Sequence, residues 1–249
     1  MTRRRWIAEH WDEATATLEG GQADHLIRVL RAQPGVEADV VAGGRVFHSV
    51  VAAVSNGSEG RAAEVRFNLV AEVEAEAAMP VTLVISTFKF DHMEWAIEKA
   101  TELGVAAIVP VIARRTDKHL AQAAMKRVDR WRRIAHEASQ QSRRSDVPTI
   151  ADPVKLADRV KAASSSQRVV LAEQERSMTL RGLLEEMLAG AGDEIPEMEL
   201  AIGPEGGWAP EEEALFDANG WSAVSLGARI LRAETATIAA LAVVASFLE

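Results

Sequence analysis

Two glycine-bearing segments late in the chain carry the residue types best suited to gripping a ligand with main chain. The first is Ala201-Ile202-Gly203-Pro204-Glu205-Gly206-Gly207-Trp208. The second is Ser225-Leu226-Gly227-Ala228-Arg229-Ile230-Leu231-Arg232-Ala233-Glu234-Thr235-Ala236. Each follows a short apolar run that reads as a strand. Glycine loses more conformational freedom on folding than any other residue, so a cluster of them is costly unless the turn is used. Together the segments predict one pocket on the carboxyl edge of a sheet, lined mainly by backbone.

Other chemistries are excluded in turn. The first segment lacks the Gly-Lys-Ser/Thr of a P-loop and the G-x-G-x-x-G spacing of a dinucleotide fingerprint. Its N–H and C=O groups could still read an adenine edge without a charged side chain. A glycine turn by itself serves structure as readily as binding; it is the pairing of two that favours a pocket. No metal is expected, because His10, His25, His48, His92, His119 and His136 show no metal-ligand spacing. No G-x-S-x-G nucleophile turn is present. Glu205 and Glu234 are the acids nearest the predicted pocket, and Glu234 reads equally as a cap on the last helix. Arg232 has no evident partner in sequence and reads as a substrate contact.

The elements that position these turns alternate. After Pro80 come a buried-strand run at Val81–Ile85, a helix from Asp91 to Leu103 and a strand at Ala107–Val111. Asp91 and Glu94 suggest a capping box and Gly104 a helix stop. A long helix over residues 121–143 has Val128, Trp131, Ala135 and Ala138 on its core face, with Lys126, Arg130, Arg133, Glu137 and Gln141 outward. Strands at 168–172, 199–202 and 223–226 and helices at 179–188, from Pro210, and at 234–247 complete a mostly parallel sheet covered on both faces. Before Pro80 the pattern differs. Short β-rich runs at 39–42, 46–54 and 63–69, broken by Pro34-Gly35, Gly43-Gly44 and Asn56-Gly57, suggest a small barrel with one helix at 24–31. The acidic stretch Glu72–Pro80 reads as the connection, giving domains at 1–72 and 79–249.

The chain has 249 residues, no cysteine and a formal net charge of −9. Absence of cysteine excludes disulfides, Cys-based zinc sites and a thiol nucleophile. No apolar run reaches the ~18 residues of a membrane span, and no apolar signal core follows Met1–Trp6; the reading is a soluble cytoplasmic protein. The average charge hides an asymmetry. Between Arg114 and Arg144 ten Lys and Arg face three acids, a local net of +7. Such a run is either a solvated face or one that meets a polyanion.

At this point the residues resemble a known family. His25-Leu26-Ile27-Arg28-Val29-Leu30-Arg31, Met93 to Val105, Arg130 to Arg143, the Gly203 turn and Leu226 to Ala236 are similar, in this order, to the bacterial 16S ribosomal RNA uracil-N3 methyltransferases (the RsmE family) of the SPOUT superfamily. The resemblance implies an α/β fold: a PUA-like β-barrel, then a SPOUT-type, mostly parallel sheet with a C-terminal trefoil knot. It implies S-adenosylmethionine bound by the backbone around Leu171, Ala172, Ile202, Gly203, Gly206, Gly207, Leu226, Gly227, Ile230 and Leu231, with Thr235 and Ala236 beneath. It implies a homodimer acting on 16S rRNA or the small ribosomal subunit. Arg232 would favour the uracil anion, and Glu205 is the candidate proton acceptor. The expected RNA-facing set is Arg3, Arg4, Arg5, Arg28, Arg31, Lys89, Arg114, Arg115, Arg130, Arg133 and Arg143. The alternatives left open are a SPOUT methyltransferase for another RNA, a non-catalytic ribosome assembly factor, and a small-molecule nucleotide enzyme.

Overall fold

A computed structural model describes residues 5–58, 60–191 and 196–248. The chain divides into two units, one of Met1–Ala77 with Ser139–Asp146 and one of Ala78–Ala138 with Val147–Glu249. Among the described residues no helix is long and apolar enough to cross a membrane.

The first unit contains β1 (Trp6–Ile7), β2 (His10–Trp11), β3 (Thr15–Glu19), α1 (Gly20–Arg28), β4 (Glu37–Ala42), β5 (Arg45–Ser55) and β6 (Glu64–Val73). Its strands are ordered β1-β4-β5-β6-β3-β2. β1 and β2 are two halves of one run. Trp6 and Ile7 pair with Val40 and Val41, and the Ala8 N–H continues to the Val41 carbonyl. The Glu9 N–H then crosses to Thr17, and His10 and Trp11 pair with β3. One run thus joins both ends of the sheet and closes the small barrel that the turn spacing predicts. Closure removes the exposed edges that would otherwise invite pairing with other chains. Two register shifts between β5 and β6, at His48/Ser49 and Val51/Ala53, help the sheet to bend. Trp6, Leu18, Val40, Val65 and Phe67 fill the interior, with Leu26 of α1. α1 runs earlier than the expected 24–31; Arg31 lies beyond it, at φ 55°.

The second unit contains β7 (Met79–Ser86), α2 (Phe90–Glu102), β8 (Val105–Ile112), α3 (Lys118–Ala123), α4 (Val128–Gln141, whose last residues belong to the first unit), β9 (Thr149–Ile150), β10 (Val154–Lys155) and α5 (Leu156–Lys161). There follow β11 (Gln167–Leu171), α6 (Leu180–Ala191), β12 (Met198–Ile202), α7 (Pro210–Ala218), β13 (Ser222–Val224) and α8 (Ala233–Ala245). The sheet order is β10-β8-β7-β12-β11-β13, with β9 on β8, and every pairing is parallel. Parallel neighbours need crossovers, so helices cover both faces and the strands are apolar on both. Leu83 and Ile85 of β7 and Leu200 and Ile202 of β12 meet Ile97 of α2, Trp131 of α4 and Leu241 of α8. On the other face Val84, Val111, Val170 and Ala201 meet Val160 of α5, Phe216 of α7, Trp208 and Trp221.

Two local expectations are corrected. α2 starts one residue before Asp91, which makes no capping hydrogen bond. Glu94 is drawn instead to Arg130, 2.8 Å away. Gly104, at φ 94°, does end the helix. The long helix of 121–143 is broken in two by a 3₁₀ turn at Ala124–Arg127. Asp117 starts α3 upstream by accepting from the His119 and Leu120 N–H groups. The tighter turn then separates α3, which buries no residue, from α4, whose Val128, Trp131, Ala135 and Ala138 are all buried.

Trp131 is fully buried with its ring 6.1 Å from that of Phe90. Replacing it by Ala is expected to cost about 3–5 kcal/mol, the usual range for emptying an aromatic core position. Urea denaturation measures this, and a loss below about 1 kcal/mol would show that α4 does not anchor this core.

Candidate functional site

Register builds the site. β11 pairs with β12 through Val170 and Ala201, and with β13 through Leu171 and Val224. Three neighbouring strands therefore end at one level, and the loops that follow leave the same carboxyl edge. That edge is where parallel sheets hold ligands. The loops enclose a recess of about 920 Å³, its open mouth included.

Eleven of the twelve residues expected to hold a cofactor line this recess: Leu171, Ala172, Ile202, Gly203, Gly206, Gly207, Leu226, Gly227, Ile230, Leu231 and Ala236. Thr235 does not; it lies exposed in the first turn of α8, one residue before Ala236. The first glycine turn is tied at several points. The Gly207 N–H donates to the Pro204 carbonyl at 2.8 Å, and Gly207 holds φ 68°, a region strained for other residues. The Trp208 indole N–H donates to the Leu171 carbonyl at 3.0 Å. Its ring lies so close to Gly203 that a Cβ there would stand 3.2 Å away. Gly227, at φ 107°, gives the second turn the same freedom.

Charged groups rim the backbone cradle. Arg115, expected to face RNA, lies in the wall and donates to the Gly206 carbonyl at 2.6 Å. Arg229 of the second glycine segment joins it, as do Glu173, Arg176 and Glu213, which lie outside the glycine motifs. The loop after β11 is shaped by Glu175. The Ser177 hydroxyl and the Met178 and Ser177 N–H groups hold its carboxyl well below the ordinary range, at about 2. Glu205 stands in the wall with a side chain 45% exposed. Arg232 is not in the wall. It is the extended residue before α8 (φ −65°, ψ 153°) and is exposed to solvent. Glu234, left open as a cap, is buried and faces His92.

The remaining basic residues are scattered in role. Arg3 and Arg4 lie outside the described residues. In the first unit Arg5 bonds the Arg143 carbonyl, and burial, then the Arg143 charge, push its guanidinium down from its ordinary value. Arg143 reaches Asp39 at 3.2 Å and Arg28 reaches Asp24 at 3.3 Å, while Arg31 is exposed. In the second unit Lys89 is exposed before α2, Arg114 pairs with Glu211 at 3.3 Å, and Arg130 is held by Glu94. Lys126 and Arg133 are exposed and have no ion pair among the described residues.

Residues 75–245 match the family model described as the RNA methyltransferase domain. The sequence is similar to the ribosomal RNA small subunit methyltransferase E of Synechocystis, at 36% identity over 95% of this chain and 75% of the relative. It is similar to that of Mycobacterium bovis at 32% identity, over 93% of this chain and 86% of the relative. The fold is similar to the crystal structure of ribosomal RNA small subunit methyltransferase E from Neisseria gonorrhoeae bound to S-adenosyl methionine. That match has a TM-score of 0.77 and 28% identity, and covers 96% of this chain and 95% of the other. With its recess inside the matched span and its relatives aligned along nearly its whole length, this chain belongs to the ribosomal RNA small subunit methyltransferase E family of RNA methyltransferases.

Proposed function

We propose that this protein transfers a methyl group from S-adenosylmethionine to N3 of a uridine in 16S rRNA. The observation that carries the reading is the backbone-lined recess at the shared carboxyl edge of β11, β12 and β13. Its makeup fits an adenosine-bearing ligand. The turns present backbone rather than bulky side chains: a Cβ built on Gly206 would meet only the Arg115 side chain, and one on Gly207 has the side chains of Arg115 and Glu173 as its nearest neighbours. When bound, S-adenosylmethionine supplies an electrophilic methyl group, so no covalent nucleophile is required of the protein.

The chain's own task is alignment and proton handling. The backbone of Gly203, Gly206, Gly207, Leu226 and Gly227 holds the donor, and fixed alignment alone carries much of the rate in such a transfer. Uracil N3 carries a proton that must leave, and Glu205 in the wall is the group that accepts it. Arg232, exposed outside the wall, meets the substrate from the solvent side, where a cation favours the uracil anion. N3 lies on the pairing edge of the base, so the target uridine must be unpaired or flipped out to reach the recess.

The closed barrel of the first unit serves as a PUA-like RNA-binding domain, and the C-terminal turns of the second form the knot of a SPOUT domain. Arg31, Lys89, Lys118, Lys126 and Arg133 are among the exposed cations that have no ion pair among the described residues and are free to meet phosphate. The working form is a homodimer in the cytoplasm, a reading supported by Ile230, which is 77% exposed at the recess.

Radiolabelled S-adenosylmethionine should label 16S rRNA, and mass spectrometry should place the methyl on uracil N3; a methyl on ribose or another base overturns the assignment. Gly206→Val should abolish cofactor binding in calorimetry with an unchanged melting temperature, since Gly206 has no left-handed φ and its Cβ would make only ordinary contacts. Wild-type affinity would remove this turn from the site. Lys126→Glu with Arg133→Glu should weaken RNA binding and reduce the slope of log K against log salt by roughly 2; an unchanged slope makes the face a solvated one. Light scattering should give twice 27.0 kDa, and a mass of one chain would refute the dimer.

A further inference from the structure

The N-terminal ends of α2 and α8 and the glycine turn after β12 bring four titratable side chains together beside the recess. His92 Nδ1 lies 3.4 Å from Glu234 Oε1 and 3.9 Å from Glu205 Oε1. On the other side of the ring, Nε2 lies 3.8 Å from Asp91 Oδ2. These carboxylates, from α2, the turn and α8, are the acidic groups within 4.0 Å of the ring nitrogens among the described residues. The exposures form a gradient. The Glu234 side chain is 5% exposed, Glu205 45% and Asp91 77%. Both His92 Nδ1 and Glu234 Oε2 are buried without a hydrogen-bond partner.

Buried polar atoms are nearly always paired, so two orphans on adjoining side chains need an account. A carboxylate oxygen is an acceptor, and so is Nδ1 when the ring proton sits on Nε2, toward Asp91. What such a pair lacks is a proton. Delivered to Nδ1, it would give the ring a donor facing both Glu234 and Glu205. Glu234, a buried carboxylate beside that same nitrogen, then stabilises the imidazolium that forms.

We propose that His92 is a positioning residue for methyl transfer, receiving through Glu205 the proton that leaves uracil N3, with Glu234 as its buried counter-charge. The inference rests on the uracil-N3 reading above. In the balanced step the N3–H proton passes to the Glu205 carboxylate and from there to His92 Nδ1. N3 forms its bond to the methyl carbon as the carbon–sulfur bond breaks, and that electron pair stays on sulfur. The imidazolium afterwards returns its Nδ1 proton through half-exposed Glu205 to water, which restores the ring with its proton on Nε2. An imidazole suits this task because its proton affinity is matched to neutral pH, where a lone carboxylate is a weak base.

The test compares wild type with His92→Asn, His92→Gln and Glu234→Gln, each first checked for cofactor affinity and melting temperature. Both His92 variants should bind S-adenosylmethionine within about twofold of wild type and keep KM for the RNA, while kcat falls about 100-fold. The loss of rate at acid pH, where a neutral ring is exhausted, should disappear with the imidazole. Without any substrate, 15N NMR of the His92 ring should show its Nδ1 signal change in Glu234→Gln, since the two side chains adjoin at 3.4 Å. Unchanged kcat in His92→Asn overturns the proposal. So does a lower kcat that keeps the wild-type acid limb, which marks a purely structural histidine. Wild-type protein that methylates no rRNA, with the NMR response intact, brings down the reading of the reaction and leaves the His92–Glu234 coupling standing.

Discussion

The hydrogen bond from the Trp208 indole to the Leu171 carbonyl is the tie on which the recess depends. Such a bond contributes only about 1 kcal/mol net, yet its position multiplies its effect. It fastens the turn after β12 to the end of β11, so two walls of the recess move as one. The indole is then locked from behind by Phe216, whose ring meets it edge-on at 4.9 Å, and Phe216 in turn meets Trp221 at 5.1 Å. Gly203 is glycine because the indole occupies the space a side chain would take. The opposite wall is anchored differently, through Ala233 and Leu241 of α8 in the core on the other face of the sheet. A cradle made of flexible glycine turns is thus held between two packed cores.

Charge is deployed more sparingly than a count of basic residues implies. Arg127 and Arg130 both turn to Glu94, Arg132 reaches Asp129 and Asp152, and Arg144 pairs with Asp146. Exposed pairs of this kind contribute little to stability, but they neutralise cations that would otherwise project a field. A polyanion approaching α4 meets Lys126 and Arg133 rather than a continuous stripe. Arg115, though exposed, has its guanidinium bonded to a carbonyl of the glycine turn.

Features set by local periodicity were readable in the sequence. The apolar spacing of α4 located its buried face, and the two glycine turns located the recess, because both signals lie within a few consecutive residues. Features set by distant partners were not. Asp91 and Glu94 form a plausible capping box in sequence, but the pull of Arg130, some 36 residues on, decides where Glu94 goes. Arg115 sits in a basic run and reads as surface until the sheet carries Gly206 to it. His92 shows no motif at all; only the approach of α8 to α2 gives it Glu234. Barrel closure by a strand split into β1 and β2 escaped pattern reading because each half is two residues long.

The membership of Ser139–Asp146 in the first unit bears on how the chain is made. Arg5 and Gln22 bond to Arg143 and Gln140 respectively, across more than a hundred residues. Domains usually fold in order as they leave the ribosome. Here the leading barrel cannot complete its contacts when residue 77 emerges, because its last eight partners are still being polymerised. The nascent barrel must wait while β7, α2 and β8 follow it out, so synthesis of the trailing sheet begins before the leading unit is finished.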